Sequence, residues 1–372
     1  MKGLRKALTP FAPDQSGAVS VLYSLGGIIV IIDAGGCAGN ICGFDEPRWS
    51  SERSAVFSAG LRDMDAVMGR DRLLIKKTVD CVRKLKANFV AFVGTPVPAV
   101  IGTDFSALKR MLDQKLSELS LPPLPVLAIP TDGMHTFDRG ESLAYLSLLQ
   151  ELAERNLFAA IPVDEKRVGL FGVSPLDLPE YDADRKRISA ALRREGFSKI
   201  IFYGADADFS AYRNAPANVL NIAVSEDGVA ACSFLQEKFK TPYRVDFPGA
   251  DDYLKILFPD SGQPDTGNTA EAENLPGGAQ SILIVNSSVF AQSLGKAILQ
   301  YLPTADVTIA SWFASKNENV FRLREEDDFT RLVTEQKSEI IMADEVQKKL
   351  IPDYSGTFIH IPEFALSGKR RA

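Results

Sequence analysis

The sequence predicts an α/β fold of parallel sheets arranged as three Rossmann-like domains. Three observations predict it. Short apolar, β-branched runs such as Ile28–Ile32, Phe89–Val93 and Val126–Ile129 each end in a turn bearing glycine or proline, the pattern of fully buried strands. Amphipathic stretches of helical length separate these runs, so strand and helix alternate as βαβ units. The length, 372 residues, suits two or three domains.

Residues 1–20 read as a polar lead-in with Pro10 and Pro13. Val19–Leu25 is a short helical or extended segment, and Gly26-Gly27 breaks it before the strand Ile28–Ile32. Glu46-Pro47-Arg48-Trp49 reads as loop. Asp71–Lys86 is an amphipathic helix with Leu74, Thr78, Cys81, Val82 and Leu85 near one face. The strand Phe89–Val93 turns at Gly94-Thr95-Pro96, and the helix Phe105–Leu119, the strand Val126–Ile129 and the helix Gly140–Leu152 follow. A second unit repeats the rhythm. Its strands are Arg167–Val173, Lys199–Tyr203, Val219–Val224 and Pro242–Phe247, and its helices are Asp182–Gly196, Asp208–Asn214 and Gly228–Phe239. Residues 259–280 are rich in Pro, Gly, Asn and acids, a composition that buries no core, so they read as a linker. A third unit carries strands Ser281–Val285, Asp306–Ala310, Ser338–Met342 and Thr357–His360, with helices Val289–Tyr301 and Asp327–Gln336. The expected domains are 1–160, 161–258 and 281–372.

Composition removes several function classes. The net charge is −6 and the basic residues are scattered up to Lys369-Arg370-Arg371, which argues against a nucleic-acid partner. No apolar run reaches transmembrane length, and the first residues lack a signal-peptide core, so no membrane role and a cytoplasmic location are expected. Four cysteines do not make a disulfide framework, and in that compartment their thiols stay reduced. Only two histidines are present, His135 and His360, which leaves no His-rich metal site. No turn carries G-x-x-x-x-G-K-S/T or a clean G-x-G-x-x-G, so this chain itself is not expected to bind a nucleotide. Gly172-Val173-Ser174-Pro175 reads as a plain βα turn.

The chemistry-bearing stretch is GGIIVIIDAGGCAGNICGFDEPRW, Gly26 to Trp49. Its strand breaks at Gly35-Gly36, and Cys37 and Cys42 follow. Cysteines just past a buried strand lie where open α/β sheets bind ligands. Two readings of these thiols stand side by side, a metal ligand and a small packed hydrophobe. Cys81 and Cys232, inside helices, read as core. His135 follows the turn Thr131-Asp132-Gly133 and reads as a loop histidine at a strand end, while His360 reads as satisfied within its strand.

These segments together resemble the component 1 family of nitrogenases, which includes the molybdenum–iron protein subunits, their scaffold relatives and the catalytic subunits of dark-operative protochlorophyllide reductase. Ile28–Trp49 resembles the family's strand, Gly-x-x-Cys turn and Glu-Pro-Arg segment. Phe92–Asp104 resembles its strand, Thr-Cys turn and Ile-Gly-Asp-Asp segment, and Pro125–Gly140 its proline-initiated strand ending in Thr-x-Gly. Arg167–Pro175, Asn218–Pro242, Ser281–Tyr301 and Ile340–Ser367 resemble the later domains, the last ending in Ile-Pro-x-x-x-x-Ser. The resemblance implies three cysteines per subunit, one per turn, on an iron–sulfur cluster at a subunit interface. Of these, the middle position is Cys37, the first falls near Thr9-Pro10, and the third falls at Pro96. A 4Fe–4S cluster would therefore be shared, either with a paralogous subunit or between Cys37 and Cys42 of two copies, with Asp33 or Asp14 as alternative oxygen ligands. Gly35 and Gly36 would bring the backbone to the cluster sulfurs. The resemblance further implies an ATP-dependent iron protein as electron donor. The missing cysteines equally suit a cluster-free scaffold, or a subunit of the same fold that binds a metallocofactor or tetrapyrrole. The lack of a family-like second-domain cysteine at a strand end argues against dinitrogen reduction.

Overall fold

The computed structural model describes residues 5–51, 54–257 and 281–367. The expected 259–280 linker and the basic end at Lys369–Arg371 lie outside the described residues.

The first part runs α1 (Asp14–Leu22), β1 (Ile28–Ile31), α2 (Gly36–Asn40), β2 (Ala55–Ser58), α3 (Asp63–Met68), α4 (Asp71–Lys84), β3 (Val90–Val93), α5 (Pro96–Ile101), α6 (Phe105–Glu118), β4 (Val126–Ile129) and α7 (Phe137–Glu154). Its four strands form a parallel sheet in the order β2-β1-β3-β4. Every residue of β1 and β3 is buried, because helices cover both faces. On one face, Leu74, Ile75 and Val79 of α4 and Leu108, Leu112 and Leu116 of α6 meet Ile28, Val30, Val90 and Phe92. The leucines of α6 recur every fourth position, so they form one stripe. Asp104 starts that helix by accepting the Ala107 N–H at 2.9 Å. On the other face, α1 and α7 cover Ile29, Ile31, Ala91 and Val93.

The second part runs β5 (Asp164–Phe171), α8 (Tyr181–Arg194), β6 (Lys199–Phe202), α9 (Phe209–Arg213), β7 (Asn218–Ala223), α10 (Gly228–Phe239), β8 (Tyr243–Val245) and α11 (Ala250–Leu257). Its sheet is parallel in the order β6-β5-β7-β8. The third runs β9 (Ser281–Val285), α12 (Ser288–Tyr301), β10 (Asp306–Ser311), β11 (Val320–Arg322), α13 (Glu326–Gln336), β12 (Ile340–Ala343), β13 (Thr357–His360) and α14 (Phe364–Ser367), with parallel order β11-β10-β9-β12-β13. The second sheet is shared between its neighbours. Phe171, Tyr203, Tyr212 and Ala223 pack into the core that holds α1 and α7, whereas Val168, Leu170 and Ile222 pack with Ile282, Ile284, Leu294 and Met342. The protein is thus a mixed α/β molecule of parallel sheets, as the strand pattern predicts.

Helix limits differ from the sequence reading by a few residues at most of the expected ends. The helix read as Asp71–Lys86 stops at Lys84, because Leu85 already takes an extended conformation at φ −113° and ψ 135°. The short edge strands β2 and β11 carry too little pattern to be read: Phe57 and Ser58 of the first and Phe321 and Arg322 of the second are exposed.

The lead-in is corrected most. Residues 5–20 do not simply precede the fold. All nine residues of α1 are buried, including Asp14, Gln15 and Ser16. Upstream of it, the Lys6, Ala7 and Leu8 N–H groups donate to the Glu326 carboxylate at 2.7, 2.9 and 2.8 Å. Leu8 and Ala12 then enter the third core beside Trp312 and Phe313. The segment fastens the third sheet to the first before the first strand begins.

Candidate functional site

In the first sheet the strand order reverses between β1 and β3, so the segments leaving those strands run apart beyond their carboxyl ends, the place where open α/β sheets bind ligands. The β1 loop carries Asp33, Gly35, Gly36 and Cys37, and the β3 loop carries Gly94, Thr95 and Pro96. Thr95 Oγ1 donates to the Ile32 carbonyl at 2.8 Å and ties the two loops at their root. Thr95 also lies beside Cys37, where its hydroxyl would favour the thiolate by donating to sulfur in place of the Ile32 carbonyl.

The shape of the β1 turn is set by two residues. Gly35 has φ +112°, a left-handed conformation that glycine adopts without strain, and it turns the chain from strand into α2. Asp33, almost fully buried, holds the result. One of its oxygens accepts the Ala38 N–H at 2.9 Å and the other accepts Ser58 Oγ at 2.5 Å. A β-carbon on Gly35, Gly36, Gly39 or Gly43 would meet no atom within 4 Å. The glycine-lined side of this turn is therefore open space.

Cys37 and Cys42 are both half-buried and free. Burial raises the Cys37 thiol, the Asp33 charge raises it further, and the Thr95 hydroxyl opposes both. Burial likewise raises Cys42, with Glu46 and Asp33 adding to it. Left to itself the turn keeps its thiols protonated, so a soft metal ion would bind by displacing protons. Cys42 sits in a wide turn, Ile41–Asp45, whose only buried residue is Ile41. Ser16 Oγ pins that turn to α1 by donating to Asp45 at 2.7 Å.

The next segment, read as plain loop, is a buried anchor. Arg48 and Glu46 form an ion pair at 2.7 Å with both side chains almost wholly enclosed. The guanidinium also donates to the Ser20 carbonyl at 2.6 Å and to the Gly204 and Ala205 carbonyls at 3.2 Å. It thereby joins the cysteine turn to α1 and to the second sheet. The Glu-x-Arg spacing was in the sequence, but nothing in it shows which carbonyls the arginine finds.

The other residues singled out from the sequence lie elsewhere. Asp14 is buried, and its two oxygens accept the Asp132 and Gly133 N–H groups at 3.1 and 2.8 Å. Asp33 and Asp14 are thus engaged in holding turns. His135 is exposed beside Asp132, at 2.9 Å from it, and beside Arg139. Burial tends to raise Asp132, but hydrogen bonds from His135, the Met134 N–H and Arg139 hold it far below the usual carboxylate range. His360 accepts the Glu345 N–H at 3.0 Å. Cys232 is fully buried, and burial pushes its thiol far up. Cys81 is half-buried against the first core.

The donor set decides how much of a cluster this chain can hold. Cys37 and Cys42 are its thiols on the turn, and Pro96 stands on the facing loop with no ligating side chain. Among the described residues, neither thiol belongs to a group of three or more potential ligands. Two thiols and an open glycine face fit a share of a cluster, not a whole one.

No curated protein matches the chain. Two solved structures share its fold. "Nitrogenase Cp1 at pH 6.5" superimposes with a TM-score of 0.65 at 10% identity, over 97% of this chain and 87% of that one. "Nitrogenase Cp1 at pH 5" gives 0.64 at 13% identity, over 98% and 85%. The family model described as nitrogenase component 1 type oxidoreductase matches residues 15–253, well over half of the sequence. The chain belongs to the nitrogenase component 1 type oxidoreductase family.

Proposed function

We propose that this chain is a subunit of a nitrogenase-like two-component oxidoreductase. In this reading electrons arrive from an ATP-dependent iron protein and pass through an iron–sulfur cluster at a subunit interface. The observation that carries it is the setting of Cys37 and Cys42. They leave the first sheet at its switch point, on a turn with an open glycine side. Apolar side chains from the segments that follow the strands are exposed at the same end of the sheet: Phe44 after β1, Val100 in α5 after β3 and Met134 after β4. Exposed apolar groups at one sheet end suit a partner surface. When bound, a 4Fe–4S cluster supplies one-electron transfer. Cys37 and Cys42 would be the chain's ligands, with the Gly35 and Gly36 backbone beside the sulfurs. A paralogous component 1-type subunit, or a second copy of this chain, would supply the rest. The three sheets serve as domains 1–160, 161–258 and 281–372 in this assembly.

A second reading is favoured by Pro96 and by the burial and nearby acids that keep both thiols protonated. It is a cluster-free scaffold or ligand-binding subunit of the same fold. Iron and acid-labile sulfide, measured on anaerobically purified chain alone and with a co-expressed paralogue, separate the two. Stoichiometric iron that is lost in Cys37→Ser and kept in Cys81→Ser supports the electron-transfer subunit. Metal-free protein in both preparations leaves the scaffold.

A further inference from the structure

The second sheet has its own switch point, between β5 and β7, and the loops leaving those strands carry the only fully enclosed cluster of acids among the described residues. Asp177 lies on the β5 loop, Ser225 and Asp227 on the β7 loop, and Glu141 reaches them from α7. One oxygen from each of the three carboxylates lies within 4.8 Å of the other two. An ion with oxygen ligands at about 2.1–2.5 Å sets opposite ligands about 4–5 Å apart, so this spacing fits one shared ion.

Among the described residues each carboxylate accepts one hydrogen bond of ordinary geometry. Ser174 Oγ donates to Glu141 Oε1 at 2.5 Å, the Ser174 N–H to Asp177 Oδ2 at 2.8 Å, and the Gly228 N–H to Asp227 Oδ1 at 3.0 Å. The second oxygens of Glu141 and Asp227 have no hydrogen-bond partner among the described residues. Ser225 gives an independent sign of a missing ligand. It is 6% exposed, its Oγ lies toward the Asp177 carboxyl, and that hydroxyl makes no hydrogen bond of ordinary geometry. Gly172, at φ +74°, leaves the room: a β-carbon there would stand 2.0 Å from Ser225 Oγ and 2.8 Å from Asp227 Oδ1.

No lysine or arginine is bonded to any of the three acids among the described residues. Asp138, a further acid near Asp227, turns its oxygens to Thr136 Oγ1 and the Ala314 N–H. Enclosing like charges without a counter-charge costs several kcal/mol per ion. Protons shared among the acids would lower that cost. A neighbouring carboxyl can accept such a proton, whereas a cation engages both orphan oxygens and the Ser225 hydroxyl at once.

We propose that Glu141, Asp177 and Asp227, completed by the Ser225 hydroxyl, bind one hard divalent cation of the Mg²⁺, Mn²⁺ or Ca²⁺ class. An all-oxygen donor set selects such ions over the soft ions that thiolates take. The cation joins α7 of the first part to both central loops of the second sheet. It is independent of the cysteine turn, and either assignment stands without the other.

The test uses the full chain expressed in medium supplemented with Mn²⁺, purified natively and dialysed against a chelator. Elemental analysis for Mg, Mn and Ca, with Mn²⁺ EPR, reads the content. The Cys37→Ser/Cys42→Ser background removes any thiol-bound metal. The expected result is stoichiometric divalent cation in that background, and an affinity reduced at least about tenfold in Asp227→Asn. Ser225→Ala, which removes a neutral donor and adds no charge, gives a smaller loss and serves if Asp227→Asn does not fold. Asp132→Asn, in the other acidic cluster, keeps its metal. A wild-type content no higher than that of Asp227→Asn or Ser225→Ala overturns the proposal. So does loss of the cation in Asp132→Asn with retention in Asp227→Asn.

Discussion

The backbone of Gly140 lies against the carbonyl of Asp14 so closely that a β-carbon on Gly140 would stand 1.6 Å from that oxygen. The contact is reciprocal along the same crossing, where a β-carbon on Gly17 would stand 2.1 Å from the Phe137 carbonyl. These two glycines let α1 and α7 touch backbone to backbone, and α7 then delivers Glu141 to the enclosed acids. Alanine at Gly140 must push the helices apart. Gly140→Ala is expected to lower stability by about 1–3 kcal/mol, the usual cost of overpacking. Urea unfolding of the full chain checks this, and an unchanged midpoint would show that the crossing relaxes freely.

Arg48 and Glu46 form a second test. Removing one partner of an enclosed ion pair leaves the other charge uncompensated, so Arg48→Met should cost about 3–5 kcal/mol. Arg48→Met/Glu46→Leu removes both charges and should recover much of the loss. Equal stability of the single and double variants would mean that the Ser20, Gly204 and Ala205 carbonyl bonds, not the pair, hold the segment.

The cysteine turn makes a chemical prediction for metal-free protein. Burial and Asp33 both disfavour the Cys37 thiolate. Iodoacetamide should therefore modify Cys37 slowly near neutral pH, and Asp33→Asn should speed it several-fold. Cys232 should react only after unfolding, being wholly enclosed. Peptide mapping after timed alkylation reads all three, and an unaltered Cys37 rate in Asp33→Asn would remove Asp33 as a cause.

Asp184 gives a pH dependence. Burial pushes its carboxyl up to about 6, against hydrogen bonds from Tyr253 and the Glu180 N–H and the charge of Arg187. An unfolded aspartate titrates near about 3.9, so between about pH 4 and about pH 6 the folded chain keeps a proton that the unfolded chain has lost. The stability this group contributes is thus largest at low pH and falls as pH rises through that window. Asp184→Asn abolishes that component. The difference in urea midpoint between wild type and variant should change across the window and level off above it; a constant difference would refute the shift.

Much of the fold was legible before the structure. Gly228–Phe239, Ser281–Val285, Val126–Ile129 and Thr357–His360 have the limits that periodicity and turn residues assign. The Cys37 turn was legible too, because a β-branched run ending in glycines marks a strand end whatever surrounds it. The illegible parts were those whose partners are far away in the chain. The helix α1 reads DQSGAVSVL, too polar and too small-sided to announce a core helix. It is buried because Gly17 and Gly140 let α7 lie directly on it. Ser174 reads as part of a plain turn, and nothing in the sequence singles out Asp177, Ser225 or Asp227; β5 and β7 bring them together only as neighbours in a sheet.

The sequence by itself determined the local choices: which runs are strands, which stretches are helices, where glycine must turn the chain, and that thiols follow the first strand. Those choices rest on side-chain periodicity and backbone sterics, which act over a few residues. The tertiary structure alone decided the charges. It enclosed Arg48 with Glu46, set the Asp33 charge near Cys37, and gathered Glu141, Asp177 and Asp227 from one helix and two loops. Electrostatic environment depends on burial and on distances through space, and neither is written in the order of the residues.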